Sequence, residues 1–235
     1  MIMRFDIMTL FPALVSGVLS ESIIGRAAKA GIIDVRTYNI RDYSKDKHRR
    51  VDDTPYGGGK GMLMSPVPIY DCYTDVVDPE KNPSVRKRVI YMSAQGAVLT
   101  QAKAKELSEN YDNLILLCGH YEGVDQRIID EIVDEEISIG DYVLTGGESP
   151  ACILVDAVSR LLPGVLSDAE CYENESFSDA TLLEYPQYTR PYEFRGRTVP
   201  DVLLSGHHAN IEKWRAEKAL EKTKAARPDL FAKRK

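Results

Sequence analysis

The run Asn113–Cys118, with sequence NLILLC, most constrains what this chain can fold into, because apolar and polar side chains do not alternate along it. A strand with one face in water alternates, whereas a strand buried on both faces does not. The run Val89–Met92, with sequence VIYM, has the same character. Strands of this kind belong to parallel sheets that helices cover on both faces, so the two runs predict an α/β protein.

Further apolar runs alternate with helical patterns over residues 1–165, as crossover connections between parallel strands require. We predict strands at 4–10, 32–38, 88–93, 113–118 and 135–140. We predict helices at 11–31, 101–110 and 124–133. One more helix is predicted to begin with Ser149 as its N-cap and Pro150 in its first turn, and to end at Pro163-Gly164.

Charge is distributed unevenly along the chain. The formal net charge is −6, yet residues 186–235 hold twelve basic and six acidic residues, and residues 166–185 hold six acids and no base. An acidic stretch with little to bury is typical of a linker, and a basic helical segment favours nucleic-acid contact, although a solvated helix face is the ordinary alternative. We therefore predict a domain at 1–165, a flexible acidic linker at 166–178, and a mainly helical domain at 179–235 with an apolar stripe of Ile211, Trp214 and Leu220.

Composition and spacing exclude several classes of protein. The four cysteines form no CxxC pair and no metal-like spacing with histidine, which argues against structural zinc or a disulfide framework. Apolar runs fall short of the roughly 20 residues that cross a bilayer. The N-terminal segment is predicted to be a buried strand followed by a helix. We expect a cytoplasmic protein with reduced thiols and no membrane partner.

Two glycine-rich segments raise the question of a phosphate site. Gly57-Gly58-Gly59-Lys60-Gly61 lacks the Ser or Thr that follows the lysine of a phosphate-binding loop, and no GxGxxG is present. The other segment, Ile137–Ala151, follows a predicted strand. Together with 91–96 and 118–123 it forms a set of three loops at consecutive strand ends, where open α/β sheets bind ligands. The three loops predict one ligand pocket.

Six segments in this order carry a resemblance to a known family: VDDTPYGGGKGMLM, CGHYEGVDQR, SIGDYVLTGGE, SRLLPGVL, LLEYPQYTRP and VLLSGHHANIEKWR. The chain resembles the TrmD family of bacterial tRNA (guanine-N1)-methyltransferases, of the SPOUT class, from about Leu10 to Arg215. The resemblance implies an α/β fold with a parallel sheet and a deep trefoil knot, plus a small helical C-terminal domain. It also implies a homodimer with shared active sites.

The resemblance further implies that the three loops bind S-adenosylmethionine. The residues it implicates are Tyr91, Met92, Ser93, Gly119, Tyr121, Glu122, Gly123, Ile139, Gly140, Asp141, Tyr142, Val143, Leu144, Gly146, Gly147 and Pro150. Such a cosubstrate carries no phosphate, which agrees with the absence of phosphate motifs. Family activity is associated with Mg²⁺, and the sequence offers no carboxylate cage that would locate this ion.

The implied reaction moves a methyl group to N1 of the guanosine immediately 3′ to the tRNA anticodon, which supports reading-frame maintenance. By position, Glu175 is the base that removes the N1 proton, and Arg160 stabilises charge on the guanine. The RNA partner is the anticodon stem-loop. The segment beside the target guanosine matches Asp52, Asp53, Tyr56, Gly57, Gly58 and Gly59. The basic residues expected to meet phosphates are Lys45, Lys47, His48, Arg49, Arg50, Lys213, Arg215, Lys218 and Lys222.

The sequence departs from the family at three places. Glu175 stands where many relatives have Asp, Ala94 where they commonly have Pro, and one extra residue follows Asp179. Two other functions stay open on the sequence alone: a related methyltransferase acting on another RNA position, and an RNA-binding module without catalysis.

Overall fold

The computed structural model describes residues 2–84, 86–167, 175–179 and 181–234. It divides the chain into two compact units, Met1–Ser167 and Asp168–Lys235. Most of the predicted acidic linker, from 168 to 174, lies outside the described residues.

The first unit is built on a five-stranded, all-parallel sheet with the order β2-β1-β6-β5-β7. Its strands are β1 (Met3–Thr9), β2 (Ile33–Asn39), β5 (Lys87–Val98), β6 (Asn113–Cys118) and β7 (Glu135–Ser138). A short hairpin pairs β3 (Asp52–Asp53) with β4 (Leu63–Met64). The helices are α1 (Pro12–Leu19), α2 (Ser22–Lys29), α3 (Pro66–Val77), α4 (Gln101–Asn110), α5 (Gln126–Ile132) and α6 (Glu148–Ser159), with a 3₁₀ turn at Ile40–Tyr43.

Helices cover both faces of the sheet, which confirms the predicted α/β class. Alternate residues of β6 enter opposite cores: Leu114 and Leu116 pack with α1, α2, α4 and α6, while Ile115 and Leu117 pack with α3 and α5. All six residues of β6 are buried, as the unbroken apolar run predicts. The sheet is therefore the middle layer of three.

Two helix predictions were wrong at their boundaries. The single helix expected at 11–31 is two helices, because Ser22 has φ 54°, outside the right-handed helical region. α6 begins at Glu148 rather than Pro150, so its N-cap is Gly147 and not Ser149. It also ends at Ser159, and the following residues form tighter i→i−3 bonds from Leu161 and Leu162 before Pro163 is reached.

The second unit contains a short hairpin whose strands, β8 (Glu193–Phe194) and β9 (Arg197–Thr198), have two residues each. It also contains a 3₁₀ turn at Asp201–Leu204 and helices α7 (His208–Ala226) and α8 (Pro228–Ala232). Trp214 is partly buried, but Leu220 of the predicted apolar stripe is 38% exposed. Ala219 and Thr223 are the buried residues of α7 instead. The Thr223 hydroxyl accepts a hydrogen bond from the Leu183 N–H, which ties α7 to residue 183.

Candidate active site

An excursion within β5 and the loops that follow β6 and β7 meet around one cavity of about 270 Å³ at the carboxyl edge of the sheet. These strands are neighbours in the sheet, so their carboxyl ends open onto the same place. Fifteen of the sixteen residues implicated by the resemblance line this cavity: Tyr91, Met92, Ser93, Gly119, Tyr121, Glu122, Gly123, Ile139, Gly140, Tyr142, Val143, Leu144, Gly146, Gly147 and Pro150. The sixteenth, Asp141, is exposed and is not part of the lining.

The first loop is an excursion within β5 rather than the end of the strand. Met92 and Ala97 both pair with Ile137 of β7, so the four residues between them leave the ladder and bulge toward the cavity. Ser93 fixes part of this excursion, since its hydroxyl accepts a hydrogen bond from the Gln95 N–H at 3.1 Å. The predicted strand therefore continues past the loop to Val98.

The third loop returns across the second one at very short range. The Gly147 N–H donates to the Gly119 carbonyl at 2.9 Å, and Gly146 forms an isolated bridge with His120. A Cβ atom on Gly147 would lie 2.8 Å from Cys118 Cα and 3.0 Å from the Gly119 nitrogen. Only glycine permits this approach of two backbones.

A buried carboxylate, that of Glu148, follows the cavity-lining residue Gly147 in the chain. Glu148, the first residue of α6, is 5% exposed, and its Oε1 accepts a hydrogen bond from Thr9 Oγ1 at 2.7 Å. Thr9 Oγ1 in turn accepts from the Phe11 N–H at 2.9 Å. The hydrogen bond between Thr9 and Glu148 joins the end of β1 to the start of α6. Nδ1 of His120 is also buried and has no hydrogen-bond partner within the described ranges.

Burial changes the acid–base chemistry of Tyr91, which lines the cavity, and of Cys118, which directly precedes the lining residue Gly119. It raises the pKa of the Tyr91 phenol to about 12, and Glu136 adds to this effect. It also raises the pKa of the Cys118 thiol well above its usual range, and the negative charge of Glu148 contributes. Both groups are therefore protonated at neutral pH, and neither is suited to act as a base or nucleophile there.

The cavity suits an adenosine-type ligand. Its outer wall carries three exposed apolar side chains, Tyr142, Val143 and Leu144, at 54%, 85% and 45% exposure. Flat apolar purine faces pack against such groups, and the backbone of the adjoining glycine loops can meet a hydrogen-bonding purine edge. His120 Nδ1, which has no hydrogen-bond partner among the described residues, offers a further polar contact. The residues present therefore fit S-adenosylmethionine.

The hairpin of β3 and β4 is attached to the second cavity loop. The Met64 N–H donates to the Gly123 carbonyl at 2.9 Å, and the Glu122 N–H donates to the Met62 carbonyl at 3.0 Å. The predicted guanosine-contacting residues Asp52, Asp53, Tyr56 and Gly57–Gly59 lie in this hairpin, and Tyr56 is 98% exposed. The structure therefore places this segment beside the cavity.

The two predicted catalytic residues belong to different units. Arg160 is the C-cap of α6 in the first unit, where its N–H donates to the Asp156 carbonyl. Glu175 lies in the second unit, where its carbonyl accepts from the Ser178 N–H and hydroxyl. Their roles remain predictions.

Several basic residues expected to meet phosphates already have acidic partners. Lys45, Arg49 and Arg50 pair with Asp71, Asp42 and Asp46, at distances of 2.8, 2.9 and 3.1 Å. On α7, Arg215 and Lys218 pair with Glu212 and Glu221. Exposed pairs of this kind are weak and can exchange an acid for a phosphate. The net positive charge available to RNA is nevertheless smaller than the count of basic residues suggests.

Six lining residues were missed from the sequence: Ala94, Gln95, His120, Ile137, Ser138 and Thr145. All lie within the three predicted loops, so loop membership was the available signal. Glu148 also lies within the third predicted loop, but Thr9 does not, and their contact carries no sequence signal because it joins positions 139 residues apart.

Comparison with known proteins identifies the family. A sequence model described as tRNA (Guanine-1)-methyltransferase TrmD matches residues 3–233. The chain belongs to this family. It is 60% identical over 231 residues to a curated tRNA (guanine-N(1)-)-methyltransferase of Ruminiclostridium cellulolyticum, covering 98% of this chain and 97% of the relative. Proteins with the same name from Lachnospira eligens and Clostridioides difficile are 58% and 56% identical, and the matches cover 97% and 98% of this chain and 95% and 98% of those relatives.

Membership of the tRNA (guanine-1)-methyltransferase family confirms the resemblance noted in the sequence and makes the chain an enzyme of RNA modification. The family implies S-adenosylmethionine as cosubstrate. Within the described ranges no helix is long and apolar enough to cross a membrane. Nor do the same residues include a group of three or more His, Cys, Asp or Glu side chains arranged to hold a metal ion.

Proposed function

We propose that the protein transfers the methyl group of S-adenosylmethionine to N1 of the guanosine immediately 3′ to a tRNA anticodon. The observation that carries the proposal is the cavity formed by three converging loops in a chain of this family. The sixteen residues implicated by the resemblance, Asp141 included, would hold the cosubstrate. When bound, S-adenosylmethionine supplies an activated methyl group on a sulfonium centre.

The protein's own contribution is to remove a proton and stabilise charge. Guanine N1 carries a proton at neutral pH, so a bond forms between N1 and the methyl carbon as the N1–H bond breaks. In the proposed mechanism the Glu175 carboxylate accepts that proton. The sulfur retains the electron pair of the broken S–C bond and becomes a neutral thioether. The products are the methylated guanine, the thioether and one proton.

Arg160 would act on the guanine rather than on the cosubstrate. Loss of the N1 proton moves negative charge onto the guanine O6, and a fixed guanidinium stabilises such charge. Arg160 is the C-cap of α6, at the opposite end of the helix from the cavity-lining Gly147 and Pro150, so this role rests on the family resemblance.

The anticodon stem-loop would meet the β3–β4 hairpin and the basic residues. The exposed Tyr56 ring offers a stacking surface for an unpaired base, and recognition of loop bases by aromatic stacking is common in RNA-binding proteins. The attachment of this hairpin to Glu122 and Gly123 supports delivery of the base to the cavity.

The remaining family features are part of the same proposal. We infer a trefoil knot in the first unit, which the crossing of Gly147 over Gly119 supports. We infer a cytoplasmic homodimer whose sites combine two chains, a linker at 166–178, and tRNA binding by residues 179–235. Family activity is associated with Mg²⁺, and we assign this ion to no residue of the chain.

The test is methyl transfer from radiolabelled S-adenosylmethionine to a tRNA with guanosine 3′ to the anticodon, followed by nucleoside analysis. We expect 1-methylguanosine as the labelled product, and a tRNA with adenosine at that position should accept no label. A labelled ribose would indicate instead a related methyltransferase acting on another RNA position. RNA binding without any transfer would indicate a binding module.

A further inference from the structure

The cavity poses an electrostatic problem for the proposed cosubstrate. Gly147 and Pro150, at the start of α6, belong to its lining. The N-terminus of a helix carries roughly half a positive elementary charge, which favours phosphates and other anions. S-adenosylmethionine instead brings a sulfonium cation. Without compensation, this end of α6 would repel the group that reacts.

The compensating charge is the Glu148 carboxylate. Glu148 is the first helical residue, and its side chain is buried rather than directed into solvent. Its Oε2 lies 2.5 Å from the position that a Cβ atom on Gly146 would occupy, and Gly146 is part of the cavity wall. The carboxylate is therefore separated from the cavity by the backbone of one glycine. A charge in such a low-dielectric position acts more strongly than one in water.

The position of this carboxylate is fixed by a hydrogen bond. The Thr9 hydroxyl donates to Oε1, so the carboxylate cannot rotate away without breaking a buried hydrogen bond. The His120 ring is also near, with Nδ1 2.7 Å from the same position beside Gly146, but Nδ1 forms no hydrogen bond with any described residue. Glu122 also lines the cavity, but its side chain is exposed and packs where a Cβ atom of Gly61 would lie. Of Glu122 and Glu148, Glu148 is the one whose side chain is buried.

We propose that Glu148 is a specificity determinant that makes the cavity favour the cationic cosubstrate over its neutral thioether product, S-adenosylhomocysteine. The inference rests on the proposed function. The two molecules differ by one methyl group and one positive charge at sulfur, and a buried negative charge acts on the second of these differences. Transfer of the methyl group thus removes the charge that Glu148 attracts, and the product is released more easily.

The test is calorimetric titration of the full-length protein with S-adenosylmethionine and, separately, with S-adenosylhomocysteine. Glu148→Gln removes the charge but keeps the size, and its amide oxygen can accept the Thr9 hydrogen bond. We expect Kd for S-adenosylmethionine to rise about tenfold and Kd for S-adenosylhomocysteine to stay within about twofold. Glu109→Gln, on the exposed end of α4, removes an equal charge and should change neither value.

Two further variants separate charge from architecture. Thr9→Val keeps the carboxylate but removes the hydrogen bond that holds it, so the ratio of the two Kd values should move part of the way toward that of Glu148→Gln. Glu148→Asp keeps the charge and should preserve the wild-type ratio of the two Kd values. A Glu148→Gln protein that weakens both ligands equally, or neither, overturns the inference and leaves the proposed function standing. Wild-type protein that binds neither ligand overturns both.

Discussion

Among single residues, Glu175 and Asp179 are the two acids to compare as candidates for the base that removes the guanine N1 proton. The hydrogen bond from Thr181, with a smaller contribution from Arg234, lowers the pKa of Asp179. A carboxylate held in this way is a weaker proton acceptor. We expect Glu175→Gln to lower the turnover number by at least about 10²-fold, the usual range for a lost general base. The measurement is the steady-state rate of methyl transfer at saturating tRNA and S-adenosylmethionine.

Asp179→Asn is the matched control, because it changes an acid in the same part of the chain. It should retain most of the turnover number, and Kd for S-adenosylmethionine should stay within about twofold of wild type in both variants. If Asp179→Asn is inactive while Glu175→Gln turns over normally, the assignment of the base is reversed.

Gly147 gives a second prediction at this scale. Gly147→Ala would place a Cβ atom against the backbone of Cys118 and Gly119, which cannot move aside as a side chain can. We expect the free energy of unfolding to fall by about 1–3 kcal/mol, as overpacking usually costs, and cosubstrate binding to be lost. Thermal unfolding and calorimetric titration measure the two effects.

Gly17→Ala is the control for this substitution. Gly17 lies inside α1 with nothing within 4 Å of its Cβ position, so alanine there should stabilise the protein by about 0.5–1 kcal/mol. Similar losses of stability in the two variants would show that the backbone crossing is not a special constraint.

Among the elements, strands β1 and β2 carry the same Arg/Asp spacing in opposite surroundings. Arg4 and Asp6 of β1 are buried and 2.8 Å apart, whereas Asp34 and Arg36 of β2 are 38% and 46% exposed. Asp6 also accepts from the Asn113 amide at 2.7 Å. We expect Asp6→Asn to lower the free energy of unfolding by about 3–5 kcal/mol, because it leaves a buried guanidinium without its charge partner.

Asp34→Asn is the internal comparison. Its pair is exposed, so we expect the free energy of unfolding to fall by only about 0–1 kcal/mol. Urea unfolding of both variants measures the difference. Equal losses would mean that the buried pair contributes no more than the exposed one.

At the same scale, the sequence predicts elements well where periodicity is long and unbroken. The predicted bounds of β6 and α4 match the structure, since each has a consistent pattern along its whole length. Helix α3 was missed because Pro66 and Pro68 are usually signs of a turn, yet both fall in its first turn. The β3–β4 hairpin has strands of two residues, too short for any periodicity.

The candidate site also has parts that the sequence predicts and parts that it does not. Its loops could be predicted because each follows an apolar run, and their ligand could be suggested by resemblance. The excursion in β5 could not be predicted, because it depends on Met92 and Ala97 sharing one partner in another strand. The place of Glu148 also depends on a tertiary contact, so a local pattern shows only a helix start.

For the whole molecule, buried thiols predict a loss of stability in alkali. Burial, followed by Glu148, raises the pKa of Cys152 to about 11 from 9.0, and burial also raises the pKa of Cys72 and Cys118. These thiols stay protonated in the folded protein but ionise on unfolding. The stabilisation is complete below about pH 9 and declines above it, and for Cys152 the decline ends near pH 11.

Urea unfolding at pH 8, 9 and 10 measures this decline. At pH 10 Cys152 alone should account for about 1 kcal/mol of it, so Cys152→Ala should give a shallower dependence of the unfolding free energy on pH. Any cavity left by alanine lowers stability equally at each pH and does not change the slope. Parallel curves for the variant and wild type would contradict the assignment.

The strand order has a consequence for synthesis on the ribosome. β1 and β5 do not pair with each other. Each of them pairs instead with β6, which follows both in the chain. Until residue 118 has emerged, the nascent chain therefore carries two apolar strands with open edges and no central strand to join them. Exposed strand edges are sites of aggregation. Slow translation just before Asn113 would lengthen this vulnerable interval, whereas a pause after Cys118 would allow the centre of the sheet to form.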